Sequence, residues 1–364
     1  MNGSLQLGRV AGIKVQIHWT FWFLIPFVIF LVLSRGGDFE EVLWSTGFIL
    51  ALFACVVLHE FGHALTAKIY DIETRSITLL PIGGVANMIE IPEDPKAEFL
   101  VAIGGPIVNV VIALLIYLIV PLEIFFNQDP ETLQEELSVI SGHNFLFYLF
   151  TANIALVLFN MLPAFPLDGG RVARALLSIK MGRVKATQTA AALGKFLAIA
   201  LFVIGIFFNF ILALIAIFIY FGAESENMMV MQLNLLQDYK VKDAMITRFT
   251  VLNPDDTLND VVQHILNTTE RDFVVANESG VQGIVFMADL LESINRFGYS
   301  TEVSEIMNKE FEPLKPDDPL PQAYRKIRRA QKNFFPVVDN QKLQGIIDVK
   351  NIDEFLKFKA AFKQ

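Results

Sequence analysis

Long apolar segments fill the first 222 residues, whereas the remaining residues alternate apolar and polar positions as soluble α/β proteins do. A helix that spans a bilayer needs about 20 mainly apolar residues. Six segments approach or exceed this length: 17–34, 46–67, 98–120, 143–162, 187–206 and 208–222. We therefore expect a polytopic α-helical membrane domain with six transmembrane helices over residues 1–222, then a linker over 223–240. The last two segments are nearly contiguous, so they are expected to form a tight hairpin or a tilted pair.

The charges of the loops orient this bundle, because loops rich in Lys and Arg stay on the cytoplasmic side. Residues 121–142 contain five acidic residues and no Lys or Arg, and residues 167–188 contain five basic residues and one Asp. The first loop is therefore expected outside and the second in the cytoplasm. Arg9 and Lys14 place the N-terminus in the cytoplasm as well, and an even number of spans returns the C-terminal part to that side.

The amino-acid composition excludes several classes of function and site. Of the 364 residues, 54% are hydrophobic, and the net charge of −9 argues against nucleic acid as a partner. The single cysteine, Cys55, excludes an internal disulfide framework and a cysteine-based zinc site. The lipid bilayer is the partner that the composition does predict.

The second apolar segment contains His59, Glu60 and His63 in the pattern H-E-x-x-H. Histidines four residues apart lie one turn apart on the same face of a helix, where both can bind one zinc ion. Glu60 can then act as general base toward a zinc-bound water. It is also the only formal charge in residues 46–67, and an ionisable group at membrane depth indicates function. The alternative is a histidine pair that is buried and hydrogen-bonded for structural reasons.

Asp168 is the candidate for a third ligand, because a catalytic zinc usually takes three protein ligands. It is the only acid in residues 137–223, and it follows two helix-breaking prolines, Pro163 and Pro166. The loop charges place it on the same side as the histidines, so the site is expected inside the membrane, nearer the cytoplasmic face. The alternative is that Asp168 caps a helix that begins near Arg171.

Two further segments carry Pro, Gly or Asn among apolar residues. Residues 79–89 are broken by Pro81, Gly83 and Gly84, which favours a short membrane-associated β-hairpin or re-entrant segment over a span. One edge of such a hairpin could pair with an extended peptide, and the alternative is a loop packed on the bundle for structural reasons. Asn109 lies among small residues in the third span, where it is expected to hydrogen-bond between helices or to take part in catalysis.

These motifs together resemble the site-2 protease family of intramembrane zinc metalloproteases. The resemblance rests on residues 59–63 and on residues 160–169, which read N-M-L-P-A-F-P-L-D-G. Residues 80–84 and 105–109 are similar to segments of that family as well. The resemblance covers about residues 1–222.

The resemblance implies a role for each motif residue. His59, His63 and Asp168 are the implied zinc ligands and Glu60 the general base. The candidate substrate contacts are Asn160, Gly83, Gly84 and Asn109. The implied reaction is hydrolysis of a peptide bond within or near a transmembrane segment of a membrane protein. A helical substrate would have to unwind locally, because its carbonyls are hydrogen-bonded within the helix.

The C-terminal part contains a tandem repeat with an offset of 62 residues. Residues 241–245 correspond to 303–307, and residues 254–258 correspond to 316–320. Each half is predicted as β-α-β-β-α and resembles a CBS domain, and CBS domains commonly pack in pairs. The predicted fold is therefore a helical membrane domain followed by a soluble α/β tandem CBS module. Its repeats are expected at 241–298 and 299–364.

CBS pairs often bind adenine nucleotides through a G-x-x-T/S-x-x-D run. In the first repeat Phe286 occupies the hydroxyl position and Asp289 the carboxylate position, whereas the second repeat has Asp348 and Asn351 there. An anionic Asp348 would repel a phosphate. Nucleotide binding at Asp289 is therefore one hypothesis, and a homodimerisation or substrate-gating platform is the other.

Two other functions fit part of these residues. One is a divalent-cation transporter regulated by the CBS pair, in which the histidines and Asp168 bind the transported ion. A transporter has no need of Glu60, which favours the protease. The other is a catalytically silent relative that only binds membrane partners.

Overall fold

In the computed structural model the chain forms two compact units, Met1–Met228 and Met229–Gln364. The structure describes residues 3–81, 83–88, 92–121, 123–126, 129, 131, 136–330 and 334–362. The elements of the first unit begin with a strand pair: β1 (Ser4–Val10), β2 (Ile13–His18), a 3₁₀ turn (Trp19–Phe23), α1 (Leu24–Ser34), α2 (Phe39–Ile69), β3 (Thr74–Leu80), β4 (Gly83–Met88), α3 (Pro95–Ile119), α4 (Glu123–Phe126), α5 (Phe145–Asn160), α6 (Asp168–Met181), α7 (Arg183–Phe208) and α8 (Phe210–Leu235), of which the residues up to Met228 belong to this unit.

Four of these helices, α2, α3, α7 and α8, are long and apolar enough to cross a membrane within the part of the chain that the structure describes. Two shorter apolar helices are Trp19–Ser34 and α5. Each of the six predicted segments therefore contains a helix, and the number of six spans stays a prediction. The sixth segment is longer than predicted, because α8 continues through the expected linker to Leu235.

The first predicted span begins later than expected, because residues 13–18 form β2 instead of helix. Ile13, Val15 and Ile17 are buried and alternate with more exposed residues, which is the two-residue period of a strand. β2 is an inner strand of a four-stranded sheet with the order β1-β2-β3-β4. It pairs antiparallel with β1 and parallel with β3.

The segment predicted as a hairpin forms β3 and β4, which pair antiparallel from Thr74 opposite Met88 to Leu80 opposite Gly83. Residues 82 and 89 of the predicted hairpin lie outside the described residues. The sheet packs on one stripe of α2 through the contacts of Phe53, Val57 and Phe61. The sheet therefore covers the side of α2 that lies opposite His59 and His63, since residues 59 and 61 are about 200° apart on a helix.

α2 and α3 approach each other closely where two glycines, Gly62 and Gly104, face each other. A Cβ atom on Gly104 would lie 2.7 Å from the carbonyl oxygen of Gly62, so only glycine fits there without a shift. The predicted close packing of small residues in the third span is thus observed. Gly62 lies inside the H-E-x-x-H segment, so this contact brings α3 directly to the histidines.

The second unit has two similar halves. Its elements are α9 (Val241–Ala244), β5 (Val251–Leu252), α10 (Leu258–Asn267), β6 (Phe273–Asn277), β7 (Gly280–Val285), α11 (Met287–Phe297), α12 (Val303–Ile306), α13 (Leu320–Arg329), β8 (Phe334–Asp339), β9 (Lys342–Asp348) and α14 (Val349–Phe362). The first half has the predicted order β-α-β-β-α. In the second half the first strand is reduced to a single bridge between Leu314 and Val337.

Equivalent hydrogen bonds relate the two halves. The N–H of Val241 donates to the carbonyl of Asp318 (3.0 Å), and the N–H of Val303 donates to the carbonyl of Asp256 (2.8 Å). Both pairs are offset by 62 residues, as the sequence repeat predicts. The start of each half is therefore bonded to the other half, which ties the two repeats into one unit.

Candidate metal centre

Three side chains that are far apart in sequence meet inside the first unit. His59 Nε2 lies 3.1 Å from His63 Nε2, and Asp168 Oδ2 lies 3.2 Å from each of them. The three residues are buried, with 5%, 3% and 8% exposure respectively. The two histidines come from α2, and Asp168 is the first residue of α6. The three atoms thus form a nearly equilateral triangle.

The other ring nitrogens of the histidines fix which atoms carry protons. His63 Nδ1 donates to the carbonyl of Val101 at 2.7 Å, a shorter contact than the 3.4 Å to the Gly105 N–H. His59 Nδ1 contacts Asn109 Oδ1. An oxygen of either kind can only accept, so each Nδ1 is the donor and each Nε2 presents a lone pair to the triangle.

The orientation of the Asn109 amide follows from its neighbours. Asn153 Nδ2 donates to the carbonyl of Leu149 at 2.8 Å, and Asn109 Nδ2 donates to Asn153 Oδ1 at 2.7 Å. This leaves Asn109 Oδ1 to face His59. Both asparagines are fully buried. A hydrogen-bond chain therefore runs from a backbone carbonyl of α5 through α3 to the first histidine.

The donor set fits a zinc ion. Three lone-pair donors at these distances repel one another, and a single added proton can bridge only two of them, whereas a cation contacts all three. Tetrahedral zinc with bonds of about 2.0–2.1 Å places its ligands about 3.3 Å apart. The observed 3.1–3.2 Å separations agree with this value. Gly105 leaves space beside both Nε2 atoms, since a Cβ there would collide with them.

Asp168 does not cap a helix in the way that the alternative interpretation predicted. α6 begins at Asp168, its N-cap is Leu167, and no side chain makes a capping hydrogen bond. The carboxylate is thereby left to face the histidines. Gly169 and Gly170 allow the first turn of α6 to lie against the backbone of residues 161–165, where a Cβ atom would not fit.

Glu60 lies beside this triangle and next to β4. Its side chain is partly buried, and a Cβ atom on Gly84 would lie 2.7 Å from Glu60 Cγ. Because Gly84 has no side chain, the Glu60 side chain can occupy the space next to it. One edge strand of the sheet is therefore in contact with the carboxylate that the sequence predicts as general base.

The remaining predicted site residues do not form a cluster as compact as that of His59, His63 and Asp168. Asn160 is the last residue of α5, is partly exposed, and its side chain makes no hydrogen bond among the described residues. Gly83 begins β4 with a φ of +140°. Asn109 hydrogen-bonds between helices through both of its polar atoms, as one of its two predicted roles requires, and its contact with substrate stays a prediction. Asn153 was not predicted, although an amide in the middle of an apolar span is a signal of function.

The second unit has two clefts that bear on the nucleotide hypothesis. One, of about 530 Å³, includes Phe249, Asn253 and Asn277 in its lining, and the other, of about 410 Å³, includes Asp272 and Asp348. Asp289 lies in the first turn of α11 and lines neither cleft. The Asp348 carboxylate accepts a hydrogen bond from the N–H of Asn351 at 2.7 Å. Nucleotide binding stays a prediction.

Together, the apolar helices and the buried His₂Asp centre define a metal-dependent hydrolase of the membrane. Residues 47–204 match the profile of peptidase family M50, and residues 241–296 and 303–357 match the CBS domain. A zinc metalloprotease from Methanocaldococcus jannaschii is 33% identical over 355 residues, which cover 97% of this chain and 96% of that protein. Rip3 of Mycobacterium tuberculosis is 29% identical over 325 residues, with 84% and 80% coverage.

The chain belongs to peptidase family M50, the site-2 proteases, and carries a CBS pair. A solved site-2 protease from Methanocaldococcus jannaschii is 38% identical and covers 62% of this chain and 95% of its own, with a TM-score of 0.44. The match to family M50 and the relative that covers nearly the whole chain identify a zinc metalloprotease embedded in a membrane, and they confirm the family prediction.

Asn109→Leu is expected to weaken zinc binding, because it removes the acceptor that orients His59. Loss of a partner that orients a metal-binding histidine typically costs about 10–100-fold in affinity. Competition with a chelator measures the zinc dissociation constant of the purified protein. Cys55→Ser is a control from the same buried neighbourhood, since Asn153 Nδ2 lies 3.5 Å from Cys55 Sγ and needs no sulfur to hold Asn109. Unchanged affinity in Asn109→Leu would contradict the orienting role.

Proposed function

We propose that the chain hydrolyses peptide bonds within or near the membrane-spanning segments of other proteins, at a zinc centre formed by His59, His63 and Asp168. The observation that supports this most strongly is the convergence of three lone-pair donors, with the other ring nitrogen of each histidine already hydrogen-bonded. Zinc held there supplies a Lewis acid that polarises a peptide carbonyl and acidifies water. Three protein ligands leave a fourth coordination position open for the reaction.

Glu60 is the group that moves protons in this proposal. It follows His59 in α2, so its carboxylate lies close to the metal ligands, and it contacts Gly84 on the other side. The carboxylate takes a proton from the attacking water and returns it to the amine that leaves. A transporter would need neither step, and a carboxylate that follows His59 in the sequence and lies against the sheet edge supports hydrolysis.

The free edge of β4 is proposed to bind the substrate as an added strand. Within the described part of the sheet, β4 pairs only with β3, so its outer edge offers backbone donors and acceptors. A substrate helix that unwinds loses its internal hydrogen bonds, and pairing with β4 replaces them. Asn160 and Gly83 are proposed as further contacts to the substrate backbone, with Asn160 also available to a developing oxyanion.

We expect about one tightly bound zinc per wild-type chain, and its loss in both His63→Ala and Asp168→Ala. Glu60→Gln should keep the metal but lose cleavage by about 10²–10⁴-fold, the usual contribution of a general base. Metal analysis of detergent-purified protein and mass spectrometry of single-span membrane proteins incubated with it measure the two properties.

Glu41→Gln is the matched control for the base, because it makes the same change at another half-buried site, near the start of the same helix. It should alter neither zinc content nor cleavage. Zinc retained in Asp168→Ala would remove this residue from the ligand set. Wild-type protein without tight zinc would favour the cation transporter or the silent relative.

Gly84→Ala is expected to slow cleavage while leaving zinc binding intact, because the new methyl group would displace the Glu60 side chain. A displacement of about 1 Å at a reacting group can cost about 100-fold in rate. Gly8→Ala is the matched control on the opposite edge strand, where a Cβ meets no atom within 4 Å. Equal rates for the two variants would contradict the contact between Glu60 and the strand.

The CBS pair is proposed to lie in the cytoplasm, where it regulates the protease or joins two copies of it. The acidic loop after α3 and the basic residues of α6 support this orientation. In a Cys55→Ala background, an impermeant thiol reagent should label Asp129→Cys in intact cells and Ser279→Cys, in the β6–β7 turn, only after lysis. Labelling of Ser279→Cys in intact cells would reverse the orientation.

A further inference from the structure

Arg174 of α6 is fully buried and lies among acidic side chains outside the metal centre. Its Nε donates to Glu98 Oε1 at 2.8 Å, and its Nη1 donates to Glu226 Oε1. The guanidinium carbon lies 4.9 Å from the ring centroid of Phe165. A buried guanidinium is retained only where its charge is paired, so the packing around Arg174 depends on these contacts. Nothing in the proposed reaction uses Arg174 directly.

A second arginine completes the charge balance. Arg183, at the start of α7, lies 3.2 Å from Glu98 Oε2 and donates to the carbonyl of Pro92 at 2.8 Å. Two acids and two arginines give no net charge. The Arg174 cluster consists of Glu98, Arg174, Arg183 and Glu226, and it joins α3, α6, α7 and α8.

The Arg174 cluster is connected to two of the proposed metal ligands through the helices α6 and α3. Arg174 follows Asp168 by six residues in the same helix, or about 9 Å along its axis. Glu98 precedes Val101 by three residues in α3, and the Val101 carbonyl is the acceptor that orients His63. The bond between Arg174 and Glu98 therefore joins the helix that carries the third ligand to the turn that holds the second.

We propose that Arg174 is a positioning residue for the metal centre, and that its bond to Glu98 sets the separation between Asp168 and the histidines. This inference rests on the proposed zinc site. The glycines at the start of α6 provide close packing without polar anchoring, so the guanidinium supplies the directional contacts that fix α6 against α3. Arginine suits this role because its donors have a fixed geometry.

The test is Glu98→Asp, which keeps the charge but shortens the side chain by one methylene, with Arg174→Lys as a second variant. Competition with a chelator measures zinc affinity in the full-length protein, and the absorption spectrum of Co²⁺-loaded protein reports ligand geometry. Both variants should bind zinc about 10-fold more weakly, as expected when a metal ligand loses its outer support, and should alter the Co²⁺ spectrum.

Glu224→Asp is the matched control, because Glu224 pairs with Lys195 at 2.7 Å between α7 and α8, and no ion pair among the described residues joins it to α3 or α6. It should leave zinc affinity and the Co²⁺ spectrum unchanged. Tight zinc in the wild type with unchanged affinity and spectrum in Glu98→Asp, even if the protein melts at a lower temperature, would overturn the positioning role alone. A wild type without tight zinc would overturn the metal centre and this inference together.

Discussion

Three lone-pair donors within 3.2 Å of one another repel strongly in a buried site, and the rest of the first unit is arranged to hold them there. Local geometry brings only His59 and His63 together, because they share one helix. Asp168 must be brought in by the start of another helix, and this requires α6 to be fixed against α3. The glycine contact between α2 and α3 completes the frame, since it sets α3 close enough for Val101 and Asn109 to orient the two rings.

The hydrogen-bond chain behind His59 meets a second demand of an apolar environment. A polar side chain among membrane helices needs a protein partner, because the hydrocarbon around it offers no hydrogen bonds. Asn109 accepts a hydrogen bond from His59, Asn153 accepts one from Asn109, and the backbone carbonyl of Leu149 accepts one from Asn153 and ends the chain. Each amide has both its donor and its acceptor engaged, so the chain defines the tautomer of the ring as well as its direction. The hydrogen bonds of Asn109 and Asn153 therefore determine that Nε2 of His59, and not Nδ1, is the nitrogen that faces the metal site.

Sequence reasoning predicted the three residues that the structure brings together, and it missed most of the residues that hold them in place. The histidine pair follows from helical periodicity, and Asp168 stood out because acids are rare in this part of the chain. Asn153 and Glu98 act through helices that touch in space, and periodicity does not specify which helices touch. β2 was hidden at the start of an apolar segment, although residues 13–18 alternate with the period of a strand. The length of α8 was also missed, because polar residues in its last turns resemble a linker.

The edge strand at the metal centre links the architecture to the substrate that the proposal requires. An unpaired strand edge is costly where water is scarce, because its backbone groups have no partners. Proteins usually cover such edges, yet β4 keeps Gly84 against Glu60 and pairs only with β3 within the described sheet. A peptide that has left its own helix has the same unsatisfied groups. Pairing the two would remove both costs at once, beside the carboxylate that would move the proton, so in the proposed mechanism the strand selects unwound substrate over helical substrate.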